Sequence, residues 1–266
     1  MCNKFKVTIH SLLSTVLTAI MLAATPLQAQ AEESILSENW QFDAQLYIWA
    51  ADFGGELNNG ASFDVPFSTM VDNLKMGFYG SFEARKQKWL IFTDIVYLNI
   101  ETDHAAPDTS EPVDFTPRSL SMNGGAINLV GGYNLLVKGK SRLDLIAGAR
   151  YLDLGSEFAL NVTFLGDTTT KFIPIEMGTA LDAVIGVKGK YAFANANRWS
   201  IPYYLDIGAG DSDFTWQALT GISYQAANWV DVALTYRHME WDLKSTDGII
   251  KNVNFDGPAL GAIFHF

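Results

Sequence analysis

The sequence predicts an all-β fold, a closed antiparallel up-and-down transmembrane barrel of about ten strands, with twelve or eight strands as alternatives. Three observations carry this. Apolar and polar residues alternate with period two over segments of about 12 to 15 residues, well beyond the usual strand of a soluble sheet. Short and long connections take turns between the segments. The first residues also read as an export signal.

Of 266 residues, 48% are hydrophobic, 13% aromatic and 18% charged, with a net charge of -11. So aromatic a chain is not disordered, and one so acidic is a poor partner for nucleic acid. The single cysteine, Cys2, excludes a disulfide scaffold. Lys4 and Lys6 precede a largely apolar stretch, Ile9 to Ala24, and Ala29-Gln30-Ala31 has the small-x-small form cut by signal peptidase. Residues 1–31 are therefore expected to be a cleaved signal peptide, with cleavage before Glu32, and 32–266 a single barrel domain. Cleavage would remove two lysines and no acid, leaving a more acidic chain. No later apolar stretch reaches the 18 or so residues of a spanning helix.

The first strand sets Trp40, Phe42, Ala44, Leu46, Ile48 and Ala50 on one face and Gln41, Asp43, Gln45, Tyr47 and Trp49 on the other. Leu74 to Arg85, Leu143 to Tyr151, Leu181 to Tyr191, Trp199 to Ile207, Phe214 to Tyr224 and Val230 to Arg237 repeat the pattern, and Leu260, Ala262, Phe264 and Phe266 close it. Residues 89–100 are apolar on both faces. Ten crossings follow, over 40–52, 74–86, 89–101, 119–136, 141–154, 179–193, 199–210, 213–225, 229–242 and 252–266. In lipid only a closed barrel leaves no unpaired backbone, so the apolar face is expected to meet lipid and the polar face the lumen. A soluble barrel or sandwich would instead carry far more charge on its outward positions.

Short connections lie at 86–88, 137–140, 194–198 and 226–228, and long ones at 53–73, 102–117, 155–178 and 243–251, with a tight Asp211-Ser212 turn as the exception. That asymmetry puts the short turns and both termini in the periplasm. In the first long loop, Thr69 as a cap and Asp72 three residues on suggest a short helix. In 157–177, Phe158, Leu160, Val162 and Phe164 alternate, Gly166-Asp167 marks a turn, and 172–177 returns. The apolar parity switches at Gly155, as a bulge there would produce. This segment is expected to be a hairpin extending the barrel outward, with a twelve-stranded barrel as the alternative.

Trp40, Trp89, Trp199 and Trp229 stand near the starts of outward strands, and Tyr133, Tyr191 and Tyr224 end inward ones. Recurrence at one level predicts an interfacial aromatic girdle.

With its signal peptide and the Leu260-x-Ala262-x-Phe264-x-Phe266 ending, the chain resembles the Gram-negative outer-membrane β-barrel proteins. Within them, Trp40-x-Phe42 with Tyr47-x-Trp49, Gly148-Ala149-Arg150-Tyr151 with Asp153-Leu154, and Gly257-Pro258 before the last strand are similar to a family of small barrels. The resemblance implies an outer-membrane location, contact with lipid and lipopolysaccharide, and insertion by the barrel-assembly machinery, which would read Phe264 and Phe266. It brings no catalytic residue and no cofactor.

Inward parity collects Asp43, Glu83, Asp94, Asp144, Asp182, Asp206 and Asp231 with Arg85, Arg142, Arg150, Lys188, Lys190 and Arg237. Charges so nearly balanced in a barrel of this width either pair into a plug, giving a structural anchor, or line a narrow passive pore for ions or small solutes. Excess acid falls to the outer loops, among them Glu56, Asp64, Asp108, Glu111, Asp211, Asp213, Glu240 and Asp247, without the spacing of a calcium loop. No metal site is expected. An enzyme would need a base beside a carboxylate or nucleophile. His104 and His265 are poorly placed, and His238 is the best candidate, with Asp211 or Asp213 across the mouth, but it shares parity with Val232, Leu234 and Tyr236 and so should face outward. The expectation is a non-enzymatic barrel, with an enzyme or a surface-binding protein using the outer loops as the alternative.

Overall fold

The computed structural model describes residues 36–103, 113–164, 167–193, 198–244 and 250–266, with side chains described outside 101–122 and 156–177. The expected cleavage before Glu32, His104 and most of the acidic second loop lie outside the described residues. The elements are β1 (Gln41–Trp49), β2 (Asp52–Leu57), β3 (Ser62–Val65), α1 (Phe67–Asp72), β4 (Leu74–Lys86), β5 (Trp89–Asp103), β6 (Val113–Lys138), β7 (Ser141–Phe164), β8 (Asp167–Ala192), β9 (Trp199–Gly210), β10 (Phe214–Ala227), β11 (Val230–Asp242) and β12 (Ile250–His265). Among the described residues no helix is long and apolar enough to cross a membrane.

Ten strands pair antiparallel in the order β1-β4-β5-β6-β7-β8-β9-β10-β11-β12, and β12 pairs back to β1. The barrel is closed. Closure uses the last residue: Phe266 N donates to Phe42 O at 2.8 Å, and Phe42 N donates to Phe266 O at 3.2 Å. The alternation read from the sequence holds as geometry. Phe42, Leu46, Ile48, Leu181, Ile185, Leu205, Val232 and Leu234 are exposed on the outer wall, while Glu83, Arg85, Asp144, Arg150, Asp206 and Arg237 are buried inside. A water-soluble protein has the reverse distribution.

Two strands beyond the ten come from the first loop rather than from 157–177. β1 pairs with β12 up to Trp49 opposite Ala259, and β2 resumes along the same neighbour from Asp52 opposite Asp256. The first crossing is thus one path broken at Ala50–Ala51, and β3 folds back on β2. Gly257 and Pro258 face this break from within β12, not before it: Ala50 N donates to Pro258 O at 2.8 Å, and a Cβ on Gly257 would lie 2.0 Å from Ala50 O. Close approach of the two backbones explains the glycine. Helix α1 runs from Phe67, with Pro66 at its N-cap and no side-chain cap. Thr69 lies inside the helix and Asn73 at its C-cap, so the expected Thr69 cap is not formed.

The 157–177 segment forms an outward hairpin, and β6 joins it. These strands run 26, 24 and 26 residues, against 12 to 16 for β9 to β12. The loop expected over 102–117 therefore already contains strand from Val113, with a register slip between Pro117 and Ser119. The bulge lies across from its expected position. β7 stays in register with β6 through Gly155, while its pairing with β8 steps from Leu154–Gly178 to Gly155–Glu176. Gly178 has a φ of +149°, and a Cβ there would lie 2.8 Å from Leu243 Cδ1. Gly178→Ala is expected to cost about 1 to 3 kcal/mol in a urea titration, because an L side chain is strained in that backbone region. An unchanged midpoint would contradict the assignment.

Candidate functional site

The barrel interior is stratified. At the short-turn end, Arg85 grips Asp144 through two nitrogens, at 2.7 and 3.1 Å, and reaches Glu83 at 3.0 Å. Glu83 also accepts from Arg142 at 3.1 Å and pairs with Lys188 at 3.1 Å. Asn134 completes the coordination of Asp144 at 2.7 Å. Alternation sends these groups inward from β4, β6, β7 and β8, and pairing offsets the desolvation that each would suffer alone. Lys188 lies 4.2 Å from the centre of the Phe92 ring as well. On the opposite wall His265 bridges Asp43 at 2.7 Å and Asp231 at 3.3 Å.

Two arginines span the middle. Arg150 donates to Asn128 at 2.7 Å, to Thr215 at 2.9 Å and to Asp206 at 2.6 Å, and Tyr204 donates to the same carboxylate at 2.7 Å. Arg237 pairs with Asp94 and donates to Tyr47 at 2.8 Å, while Tyr47 donates to Asp94 at 2.7 Å. Gln217 Oε1 accepts from both guanidiniums, at 3.1 and 3.3 Å, and ties the two networks together.

Above this layer the interior turns apolar. Trp49, Phe53, Leu152, Leu154, Met239, Trp241, Val253 and Phe255 pack with Met70 of α1 into one buried cluster. Phe53 and Phe255 stack at 4.9 Å, and Trp241 meets Phe255 edge-on at 6.3 Å. Each arginine abuts this cluster through an aromatic face: Arg150 lies 5.6 Å from Trp241 and Arg237 4.9 Å from Trp49. A gap of about 20 Å³, lined wholly by apolar atoms, is the space found within the cluster. By contrast, the short-turn half of the lumen holds a cavity of about 130 Å³.

Most charges assigned to the lumen from sequence thus meet, in three groups: around Glu83 and Asp144, around His265, and in the arginine layer. Two do not join them. Asp182 is opposite Arg150 in register but accepts from Ser212 N at 2.9 Å, fixing the Asp211-Ser212 turn, while Arg150 turns to Asp206. Among the described residues Lys190 has no ion pair. The neutral partners Asn128, Tyr47, Tyr204 and Gln217 went unrecognised in the sequence, although inward parity on a charged face marked each. Trp49, Met239 and Trp241 also had inward parity, which is the signal of an apolar filling.

At the short-turn end Trp89 meets Tyr133 at 5.0 Å and Trp199 meets Tyr224 at 4.7 Å, while Trp229 stacks on Phe264 at 6.1 Å. Trp40, Trp89, Tyr191, Trp199 and Trp229 are exposed on the outer wall, and Lys86 lies 5.8 Å over Trp40.

His238 does contact a carboxylate, but not the one expected. Its Nε2 lies 3.1 Å from Glu240 Oε2, on the outer wall near the long-loop end, and neither Asp211 nor Asp213 is its partner. Trp216 packs against the imidazole at 4.5 Å with its ring tilted by 32° and donates to Glu240 at 2.9 Å, while Asn252 donates to the other carboxylate oxygen at 2.8 Å. Among the described residues no group of three or more His, Cys, Asp or Glu side chains could hold a metal ion.

No family model matches the chain, and no curated protein matches it. Solved structures of bacterial outer-membrane proteins align with most of the chain. The outer membrane protease OmpT from Escherichia coli is 12% identical, with 90% of this chain and 100% of that one covered and a TM-score of 0.44. The translocator domain of the autotransporter NalP from Neisseria meningitidis is 14% identical, with 98% and 97% covered and a TM-score of 0.41. Ail, the attachment invasion locus protein of Yersinia pestis, is 10% identical, with 86% and 99% covered and a TM-score of 0.37.

Proposed function

We propose that this chain is an integral outer-membrane barrel with a sealed lumen, a non-enzymatic structural anchor that displays its long loops outside the cell. One observation carries the reading: between the charged short-turn half and the outer mouth stands the arginine layer followed by the apolar cluster of Trp49, Phe53, Trp241 and Phe255. An ion crossing it would shed its water in a dry apolar layer. The narrow-pore alternative needs a continuous polar path, which this layer interrupts.

The apolar outer wall and the aromatics near the short turns support residence in lipid, with lipopolysaccharide meeting the long-loop end and with Phe264 and Phe266 serving barrel assembly. The His238–Glu240 pair favours no catalysis, since it points away from the lumen and its carboxylate is already occupied by Trp216 and Asn252.

Tryptophan quenching tests the embedding. In vesicles of brominated lipid, the exposed Trp40, Trp89, Trp199 and Trp229 are expected to be quenched strongly, whereas Trp49 and Trp241, buried inside the barrel, keep their emission. Single-tryptophan variants separate the two classes. Equal quenching of Trp241 and Trp89 would contradict both the orientation of the wall and the sealed interior.

A further inference from the structure

The short-turn half of the lumen holds one cation more than it can neutralise. Five cationic and four carboxylate side chains line the 130 Å³ cavity. Glu83 is shared by Arg142 and Lys188, and Asp94 is taken by Arg237. His265 lies between two carboxylates, its Nδ1 2.7 Å from Asp43 and its Nε2 3.3 Å from Asp231, a setting that favours the charged ring counted here among the cations. Behind this wall Arg85 and Asp144 neutralise each other. Lys190 is left over.

Its position makes the excess more pointed. Lys190 is the direct cross-strand partner of Arg142, and both side chains face the cavity. Like charges opposite one another in a sheet are destabilising, and a low-dielectric wall sharpens the cost. Four buried polar atoms of residues lining the same cavity lack a hydrogen bond among the described residues, the donors of Ser223, Arg142 and Arg237 and the acceptor Asp231 Oδ1. Ser223 is only 4% exposed, whereas Arg142 Nε keeps an ion-pair contact with Asp144 at 3.7 Å. Buried polar atoms left unpaired cost free energy unless something in the cavity satisfies them.

We propose that this cavity is a binding site for a small soluble oxyanion, a phosphate or a carboxylate, held by Lys190 and Arg142 with Ser223 donating a hydrogen bond. The space is far above the roughly 10 to 15 Å³ that one water needs and admits an ion of several heavy atoms. Entry is from the short-turn end, where Asp43 and His265 keep 28% and 23% of their side chains exposed. One bound monoanion brings the lining to neutrality and turns the repulsion between Lys190 and Arg142 into a two-pronged grip. The site lies below the arginine layer, so it stands whether or not the lumen above is sealed.

The test is urea unfolding of the folded protein in detergent micelles, with inorganic phosphate or acetate added at ionic strength matched by sodium chloride. A ligand that binds only the folded state shifts the midpoint saturably. Phosphate, acetate or both are expected to raise the wild-type midpoint where chloride does not, the responding anion defining the class. Lys190→Gln is expected to need at least about tenfold more anion for the same shift, as loss of a charged hydrogen bond implies, and to be no less stable than wild type without it. Ser223→Ala, which changes no charge, is expected to fold as wild type and respond more weakly. A wild type indifferent to both anions, or a Lys190→Gln protein that responds like wild type, overturns the proposal. So does a Lys190→Gln protein markedly destabilised without anion, because the lysine would then have an internal partner.

Discussion

Replacing Arg150 by alanine is expected to lower the unfolding free energy by about 3 to 5 kcal/mol, among the largest losses available to a single substitution in this barrel. The guanidinium is fully buried and binds Asn128, Thr215, Asp206 and Gln217. Its removal strands the Asp206 carboxylate, also buried, with Tyr204 as its remaining partner among these groups. Most of the cost is that stranded charge rather than the net worth of the ion pair, and this makes the effect separable. The double variant Arg150→Ala with Asp206→Ala should recover a large part of the loss, since no unpaired charge remains. Urea titration of the refolded proteins in lipid vesicles measures both. A single variant within about 0.5 kcal/mol of wild type would show that the arginine is hydrated, and the middle layer would then not be a dry seal.

Trp241→Ala is expected to cost about 3 to 5 kcal/mol, the range for removing a large aromatic from a packed core. Its ring is completely buried between Phe255 and the Arg150 guanidinium, in the centre of the outer half of the lumen. A cavity opened there cannot be filled by sliding strands, because hydrogen bonds fix the closed sheet on every side. Trp241→Phe is the informative control. Trp241 Nε1 is buried without a hydrogen-bond partner among the described residues, so phenylalanine keeps much of the packing while removing a stranded donor, and its cost should be well below that of alanine. A phenylalanine variant as unstable as the alanine variant would place the importance of Trp241 in a hydrogen bond and contradict the apolar reading. Because Arg150 lies 5.6 Å from the ring, the Arg150 and Trp241 alanine variants should also couple rather than add.

The faces of the strands were legible because period two is a local property: Phe42 and Asp43, or Leu205 and Asp206, declare opposite sides from adjacent positions. Depth and partner were not. Arg150 and Asp182 are register neighbours, yet the arginine crosses the lumen to Asp206, while Asp182 accepts from Ser212 N. That choice depends on where β9 and β10 turn, which no local pattern encodes. The apolar upper interior escaped for a related reason. Trp49, Met239 and Trp241 sit at inward parity beside polar residues, and only closure of the barrel brings them against Phe255 and against Met70 from the first loop. The β2–β3 hairpin was likewise hidden, since its strands are 6 and 4 residues long and gain their stability from β12. For β7 and β8, the parity switch at Gly155 correctly marked a change in the strand surroundings, but the extra residue lies on the partner strand.

The sealed lumen is tested most directly by single-channel recording of the folded protein in a planar bilayer, with insertion verified independently by protease protection. The arginine layer and the apolar cluster predict no discrete openings from the wild type at moderate voltage. Regular unitary openings from the wild type, with an ion selectivity that changes in Arg150→Ala, would show a continuous water path past Trp241 and contradict the account.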